Sequence, residues 1–209
     1  MQITRATPLF GDNYDVGWIG FTRTAGAVSD AVQFGEHWAR GTYPAVTHTF
    51  VVAGAGSCTE AHAGEGVNTA PLAKYFGEPT TKIYLRRPAP WNPAIGARIA
   101  AAAAKHIGDR YCMSLIVADG LDDSLIGHAL NAMLNNFPKR LAARWLTRPG
   151  QEICSQLVGI ALENQGEFQG RGVLSQAPEL LQPQDIFNCE AIFDGTIYDL
   201  SCVPGADAT

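Results

Sequence analysis

The sequence predicts an α+β domain with a mainly antiparallel sheet packed against helices. Three observations predict it. Residues 46–53 and 57–63 are strand-like apolar runs split by Gly54-Ala55-Gly56, which is the pattern of a hairpin. From Asn92 onward the apolar period lengthens to that of a helix. Near the end of the chain short strand-like runs return. Strands, then helices, then strands again, with no regular βαβ alternation, favour strands that pair with antiparallel neighbours.

The elements follow in order. After the hairpin, a third strand is expected from Thr81 to Arg87. Asn92 is a good N-cap, Pro93 suits the first helical turn, and Gly108 suits the position just past the end of the apolar, alanine-rich helix between them. Asp122-Asp123-Ser124 opens a second helical stretch, which Pro138 should kink or interrupt before Arg148. The breaker Pro149-Gly150 precedes a further helix, expected from Glu152 to Asn164 and stopping at Gly166. Ser175 is expected to cap a short turn ending at Pro183. Ile186-Phe187, Ala191-Ile192-Phe193 and Thr196-Ile197-Tyr198 read as closing strands, with Asp194-Gly195 as a hairpin dipeptide.

Composition narrows the class. With 209 residues, 46% hydrophobic and 17% charged, the chain can bury one sizeable core, so a single domain is expected over residues 1–203, followed by a flexible tail at 204–209. A net charge of −5 argues against a nucleic-acid partner. The short basic pairs Arg86-Arg87 and Lys139-Arg140 read as solvated surface. No apolar run reaches the roughly 18–20 residues of a membrane span. The first residues also lack the charged-then-apolar order of a signal peptide. Cys58, Cys112, Cys154, Cys189 and Cys202 form an odd set without a C-x-x-C pair, unlike a disulfide framework. A reducing setting is therefore expected, in the cytoplasm or carried on a larger particle.

Candidate chemistry centres on Glu152-Ile153-Cys154-Ser155-Gln156-Leu157-Val158. A cysteine at a helix start meets unpaired backbone N–H groups and the positive end of the macrodipole, and both favour the thiolate. A thiol hydrolase also needs an imidazole to exchange protons with the sulfur and a polar group to orient that imidazole. His48, entering the first hairpin strand, supplies the ring. Glu60 lies on the next strand, within cross-strand or diagonal reach. If that strand is regular, Cys58 and His62 share the face of Glu60, so His62 or a backbone carbonyl is an alternative orienter. His48, Cys58 and His62 also allow a zinc reading, although their spacing fits no familiar finger and a fourth ligand is not evident. No metal or cofactor is expected. His37, His106 and His128 read as surface or packing residues.

The order histidine, acid, cysteine resembles that of the circularly permuted papain-fold thiol hydrolases, the YiiX-like and NlpC-like proteins. Gly11-Asp12 is similar to an early Gly-Asp of that family, and Val46-Thr47-His48-Thr49-Phe50-Val51-Val52 to its histidine strand. Thr59-Glu60-Ala61 with Gly66-Val67 resembles the turn that follows. Gly108-Asp109-Arg110-Tyr111 resembles the Gly-x-x-Tyr element, Cys154-Ser155-Gln156-Leu157-Val158 the nucleophile segment, and Pro183-Gln184-Asp185 the closing Pro-x-Asp. The likeness spans nearly the whole chain. It departs at Gln156, where the family usually has Glu, in lacking the family's aspartate after the Gly-x-x-Tyr element, and in a long, glycine-rich 12–47 region.

The resemblance implies a permuted papain-like fold, an antiparallel sheet or half-barrel against helices, with the nucleophile at a helix N-terminus. It implies a cysteine peptidase or amidase with a catalytic triad of Cys154, His48 and Glu60, acting on a peptide or a peptidoglycan stem peptide (muropeptide). An acyl hydrolase or transferase acting on lipid or ester groups stays open, as does a non-catalytic structural or binding module.

Overall fold

The computed structural model describes residues 1–24, 44–62, 65–111 and 151–201 of the chain. The fold is a mixed α+β arrangement of an open seven-stranded sheet, a separate two-stranded pair and, among the described residues, four helices. The strands are β1 (Gln2–Arg5), β2 (Ile19–Thr24), β3 (His48–Gly54), β4 (Ser57–His62), β5 (Gly66–Pro71), β6 (Thr81–Arg86), β7 (Arg110–Tyr111), β8 (Gln151–Glu152) and β9 (Thr196–Asp199). The helices are α1 (Ala73–Phe76), α2 (Pro93–Ala104), α3 (Cys154–Glu163) and α4 (Pro183–Asn188). The large sheet runs β1-β9-β6-β2-β3-β4-β5. Its neighbours are antiparallel except β1 and β9, which are parallel.

The expected hairpin is present as β3 and β4, paired Val51 to Thr59 and Val52 to Cys58, with an irregular register before Gly54. Alternation along it fills two cores, one on each face of the sheet. Val51 and Ala61 join Ile19, Phe21, Ile99, Leu157 and Val158 on the side of α2 and α3. Phe50, Val52 and Cys58 join Trp18, Leu72, Tyr75 and Leu85 on the other. Covering both faces makes β3 almost continuously buried, which is why its apolar run is longer than a half-exposed strand would give.

Glycine marks two places where backbone or ring must come close. A Cβ on Gly20 of β2 would lie 2.0 Å from the ring of Phe50, its cross-strand partner. At Gly66 the φ of +77° already favours glycine, and a Cβ would lie 2.3 Å from the carbonyl oxygen of Asp109. Gly66 thus lets the 108–111 segment dock on β5, through Val67 N–H to Asp109 O at 2.8 Å and Gly108 N–H to Val67 O at 2.9 Å.

The start of α2 matches its sequence signals: the Asn92 side chain accepts from Ile95 N–H at 2.9 Å and Pro93 opens the helix; its end does not, because the helix stops at Ala104 and Gly108, at φ +98°, lies in the turn beyond it. The third strand is β6, lying between β2 and β9 and not beside the hairpin.

Other expectations are corrected. β1, β2 and β5 fall in segments that carried no strand signal. Glu152 belongs to β8, paired in parallel with β7, so the helix begins only at Cys154. Arg86, expected at the solvated surface, is buried because its guanidinium finds acceptors inside the fold, the carbonyls of Phe187 and Asp194; Arg87 beside it is exposed. Ser175 closes a 3-10 turn (Gly172–Ser175) by donating to Gly172 O at 2.8 Å; it does not cap the one after it. Ile186-Phe187 is helical, within α4, because Pro183 starts a helix and both residues face the core. Ala191-Ile192-Phe193 makes only a single bridge, Pro88 to Phe193, and Asp194-Gly195 turns no hairpin. Instead the Asp194 carboxylate accepts from Thr196 N–H at 3.0 Å and from Arg87 at 2.8 Å, sending the chain back between β1 and β6. The helical stretch from Asp122 to Arg148 with its Lys139-Arg140 pair, the Pro149-Gly150 breaker and the 204–209 tail lie outside the described residues. No helix among the described residues is long and apolar enough to cross a membrane.

Candidate active site

The site grows from the start of β3. Val46 N–H donates to the buried side chain of Gln184 on α4 at 2.8 Å, and Thr47 N–H donates to Thr22 O at 2.9 Å. The strand therefore enters the sheet in a fixed position, and His48 is its first residue. Continuing the β3/β4 register puts His62 opposite His48 and Glu60 on the diagonal, all three on one face. The diagonal neighbour makes the bond: His48 Nε2 lies 2.9 Å from Glu60 Oε2. The His62 ring stands nearly perpendicular to that of His48, with centroids 6.1 Å apart.

Glu60 is fully buried, at 0% exposure. A carboxylate there is costly unless donors replace its water. Three do: besides His48, the Tyr75 hydroxyl donates to Oε2 and the Lys74 ammonium to Oε1. Both come from α1, the short helix between β5 and β6. Burial would raise the Glu60 carboxyl, but His48, Lys74 and Tyr75 outweigh it and hold it down at about 2. Tyr75 is pushed well above the ordinary phenol range by burial and by Glu60, so its hydroxyl stays a donor. Its ring stacks on Phe50, 4° from parallel at 5.0 Å.

The nucleophile candidate comes from the other side of the chain. Ile153 is the residue before α3 and offers no side-chain cap, so the first N–H groups of the helix are left for other acceptors. Cys154 opens the helix, 6% exposed, with Leu157 N–H bonded to Ile153 O at 3.0 Å. The His48 ring and the backbone of Thr49 and Ser155 lie close enough to its sulfur to lower the thiol. Ser155 donates through its hydroxyl to Leu181 O and so fixes the first turn.

The electrostatics of the pair are reciprocal. Burial would push the Cys154 thiol up, but the adjacent imidazolium and the donated hydrogen bonds bring it below the ordinary thiol range. Burial would lower His48, yet the Cys154 charge and Glu60 raise it to about 9. Each charge thus favours the other, with Glu60 ionised behind the ring.

The structure thus brings together Cys154, His48 and Glu60. Glu60, rather than His62, makes the bond to the His48 ring nitrogen. Lys74 and Tyr75 carried no sequence signal: they lie in a four-residue helix too short for periodicity, flanked by Pro71 and Gly77. Cys58 stays a neutral thiol, pushed up to about 12 by burial and Glu60, and donates to Ala70 O at 3.6 Å. Among the described residues no three His, Cys, Asp or Glu side chains, the zinc set His48, Cys58 and His62 included, group to hold a metal. His106 is bonded to Asp109 at 3.0 Å, while His37, His128, Cys112 and Cys202 lie outside the described residues. Gln156 is buried within the first turn of α3, and its Oε1 has no partner among the described residues.

Neither a protein-family profile nor a curated protein sequence matches the chain. Among solved structures, the chain is similar in fold to the metalloprotein YiiX from Escherichia coli O157:H7, with a TM-score of 0.53. The match covers 86% of this chain and 95% of that one at 15% identity.

Proposed function

We propose that the protein is a thiol hydrolase of permuted papain-like fold, cleaving an amide bond of a peptide or cell-wall stem peptide through a cysteinyl acyl-enzyme. The observation that carries this reading is the Cys154 sulfur at the start of α3, beside a His48 ring whose Nε2 is held 2.9 Å from buried Glu60. That arrangement supports reading the three as nucleophile, base and orienting acid. The YiiX-like fold and the order of the three residues along the chain support it further.

In this mechanism the thiolate attacks the carbonyl carbon, and the carbonyl π pair moves to oxygen. The backbone N–H of Cys154, with the positive end of α3 behind it, donates to that oxyanion, a contribution of about 3–4 kcal/mol for a good donor. As the intermediate collapses, the C–N bond breaks and His48 gives its proton to the leaving nitrogen. His48 then takes a proton from water as the oxygen attacks the thioester, the C–S bond breaks, the carboxylic acid departs, and the thiolate beside protonated His48 is restored. Glu60 keeps the ring in the tautomer and orientation that both transfers need.

Activity-based labelling tests the reading and needs no identified substrate. Iodoacetamide at neutral pH should modify Cys154 much faster than the other four thiols, and Cys154→Ala should abolish turnover of a peptide, muropeptide or acyl-ester panel while leaving the circular dichroism spectrum unchanged. Equal labelling of all five thiols would sink the proposal. Turnover confined to acyl esters would redirect it to a different substrate.

A further inference from the structure

We propose that Lys74 and Tyr75 are positioning residues of this site, Lys74 by balancing the charge that lets Glu60 and the Cys154 thiolate coexist and Tyr75 by fixing the Glu60 carboxylate. The inference rests on the thiol chemistry proposed above. It starts from a charge count. A thiolate, an imidazolium and a carboxylate total one net negative charge, and Glu60 is 0% exposed. An uncompensated charge in such surroundings is expensive, and the system relieves it by taking up a proton. The Lys74 ammonium, bonded to Glu60 Oε1, brings the total to zero.

The two donors divide the carboxylate between them. Consecutive residues of a helix project about 100° apart, and α1 uses that angle to send Lys74 to Oε1 and Tyr75 to Oε2. Tyr75 shares Oε2 with His48 and so decides which lone pair the imidazole receives. Its own position is set by the stack on Phe50, whose ring lies over Gly20. Lys74 is 34% exposed and lies 4.9 Å from the Tyr75 ring centroid, so its ammonium is held over that ring as well as on the carboxylate.

The groups facing Glu60 come from every neighbouring element. β3 supplies His48, β4 supplies Cys58 and His62, α1 supplies Lys74 and Tyr75, and α3 supplies Cys154 beyond the ring. On β5, Asn68 lies opposite Glu60 in register and is bonded to Glu65 at 2.8 Å. Cys58 stays neutral, pushed up to about 12, and adds no charge.

The experiment is the pH profile of Cys154 alkylation by iodoacetamide, read by mass spectrometry on the full chain. In wild type the midpoint lies below that of an ordinary thiol. Lys74→Met and Lys74→Gln should each raise it by about one unit, slowing labelling about tenfold on the acid limb. Lys74→Arg, which keeps the charge, should stay within about twofold of wild type. Tyr75→Phe keeps the stacked ring and should raise the midpoint by a smaller step. Coincident wild-type and Lys74→Gln profiles, or a Lys74→Arg profile shifted like Lys74→Gln, overturn the inference while leaving the thiol chemistry standing. A wild-type Cys154 that labels like an ordinary thiol overturns the thiol chemistry itself, and this inference with it. A measurement on unmutated protein guards against variants that do not fold: the 15N signal of the Lys74 ammonium should move through the same pH transition as Cys154 labelling, and a signal blind to it overturns the proposal.

Discussion

His48 faces a sulfur on one side and a carboxylate on the other, and the pH behaviour of the site follows from that. With Cys154 held below the ordinary thiol range and His48 raised to about 9, both shifts favour the ion pair that the proposed mechanism uses. A plot of kcat/KM against pH should therefore fall on the alkaline side near 9, where the imidazolium loses the proton that the leaving group needs. An alkaline limb that survives in His48→Ala would assign that proton elsewhere. Glu60 makes the complementary prediction for stability. Its folded-state value of about 2 lies below the unfolded one, so it stabilises the fold above the ordinary carboxylate range and that contribution is lost as pH falls toward 2. In urea unfolding, Glu60→Gln should flatten the loss of stability between about pH 4.5 and 2. Its effect on turnover should be smaller than that of His48→Ala, because orienting a ring is a lesser contribution than transferring its proton.

At the scale of elements, the geometry depends on where helices and strands begin. Cys154 sits at a helix N-terminus because α3 starts on it, and α3 starts there because Gln151 and Glu152 are taken up by pairing with β7. The β4/β5 edge is held to that same segment through Gly66. Replacing Gly66 with alanine imposes a Cβ at positive φ and 2.3 Å from a backbone oxygen, so the strand or the 108–111 segment must shift. A loss of about 1–3 kcal/mol is expected in denaturant unfolding, and a value near zero would mean that the 108–111 segment is held elsewhere. Gly20 acts through Phe50 in the same way: a Cβ 2.0 Å from that ring must displace it, and with it the Tyr75 that donates to Glu60.

Across the whole molecule, one buried cation ties the sheet to the entry of the histidine strand. Arg86 of β6 is 0% exposed and donates to the carbonyls of Phe187 on α4 and of Asp194 in the turn before β9, the latter at 2.8 Å. Its guanidinium also lies 4.5 Å from the Phe193 ring centroid. Since α4 holds Val46 N–H through Gln184, Arg86 is linked to His48 across the core. Arg86→Met removes the donors and leaves two carbonyls unsatisfied, at a cost of about 1.5–3 kcal/mol for each hydrogen bond to a charged group. Cys154 labelling should slow together with the lowered unfolding midpoint. Undiminished labelling in a destabilised Arg86→Met protein would show that α4 does not position the histidine strand.

Much of this was legible in the residues alone. The β3/β4 hairpin, α2 with its Asn92 cap and the cysteine at the start of α3 announce themselves because each is a local pattern whose period or cap is written in adjacent positions. Strands β1, β2 and β5 did not: Gly20 interrupts one and Gly66, Asn68 and Pro71 weaken another, and these segments become strands only because β9, β3 with β6, and β4 respectively complete their hydrogen bonds. Ile186-Phe187 had the apolar pattern of a strand and became helical because Pro183 starts a turn there and the core takes both side chains. The sequence by itself determined which residues carry sulfur, imidazole and carboxylate, and on which local elements they ride. Only the tertiary structure decided that Glu60 rather than His62 holds the His48 ring, and that Lys74 and Tyr75 surround that carboxylate. Those choices are made by strand register and by contacts between segments far apart in the chain, and no local pattern encodes them.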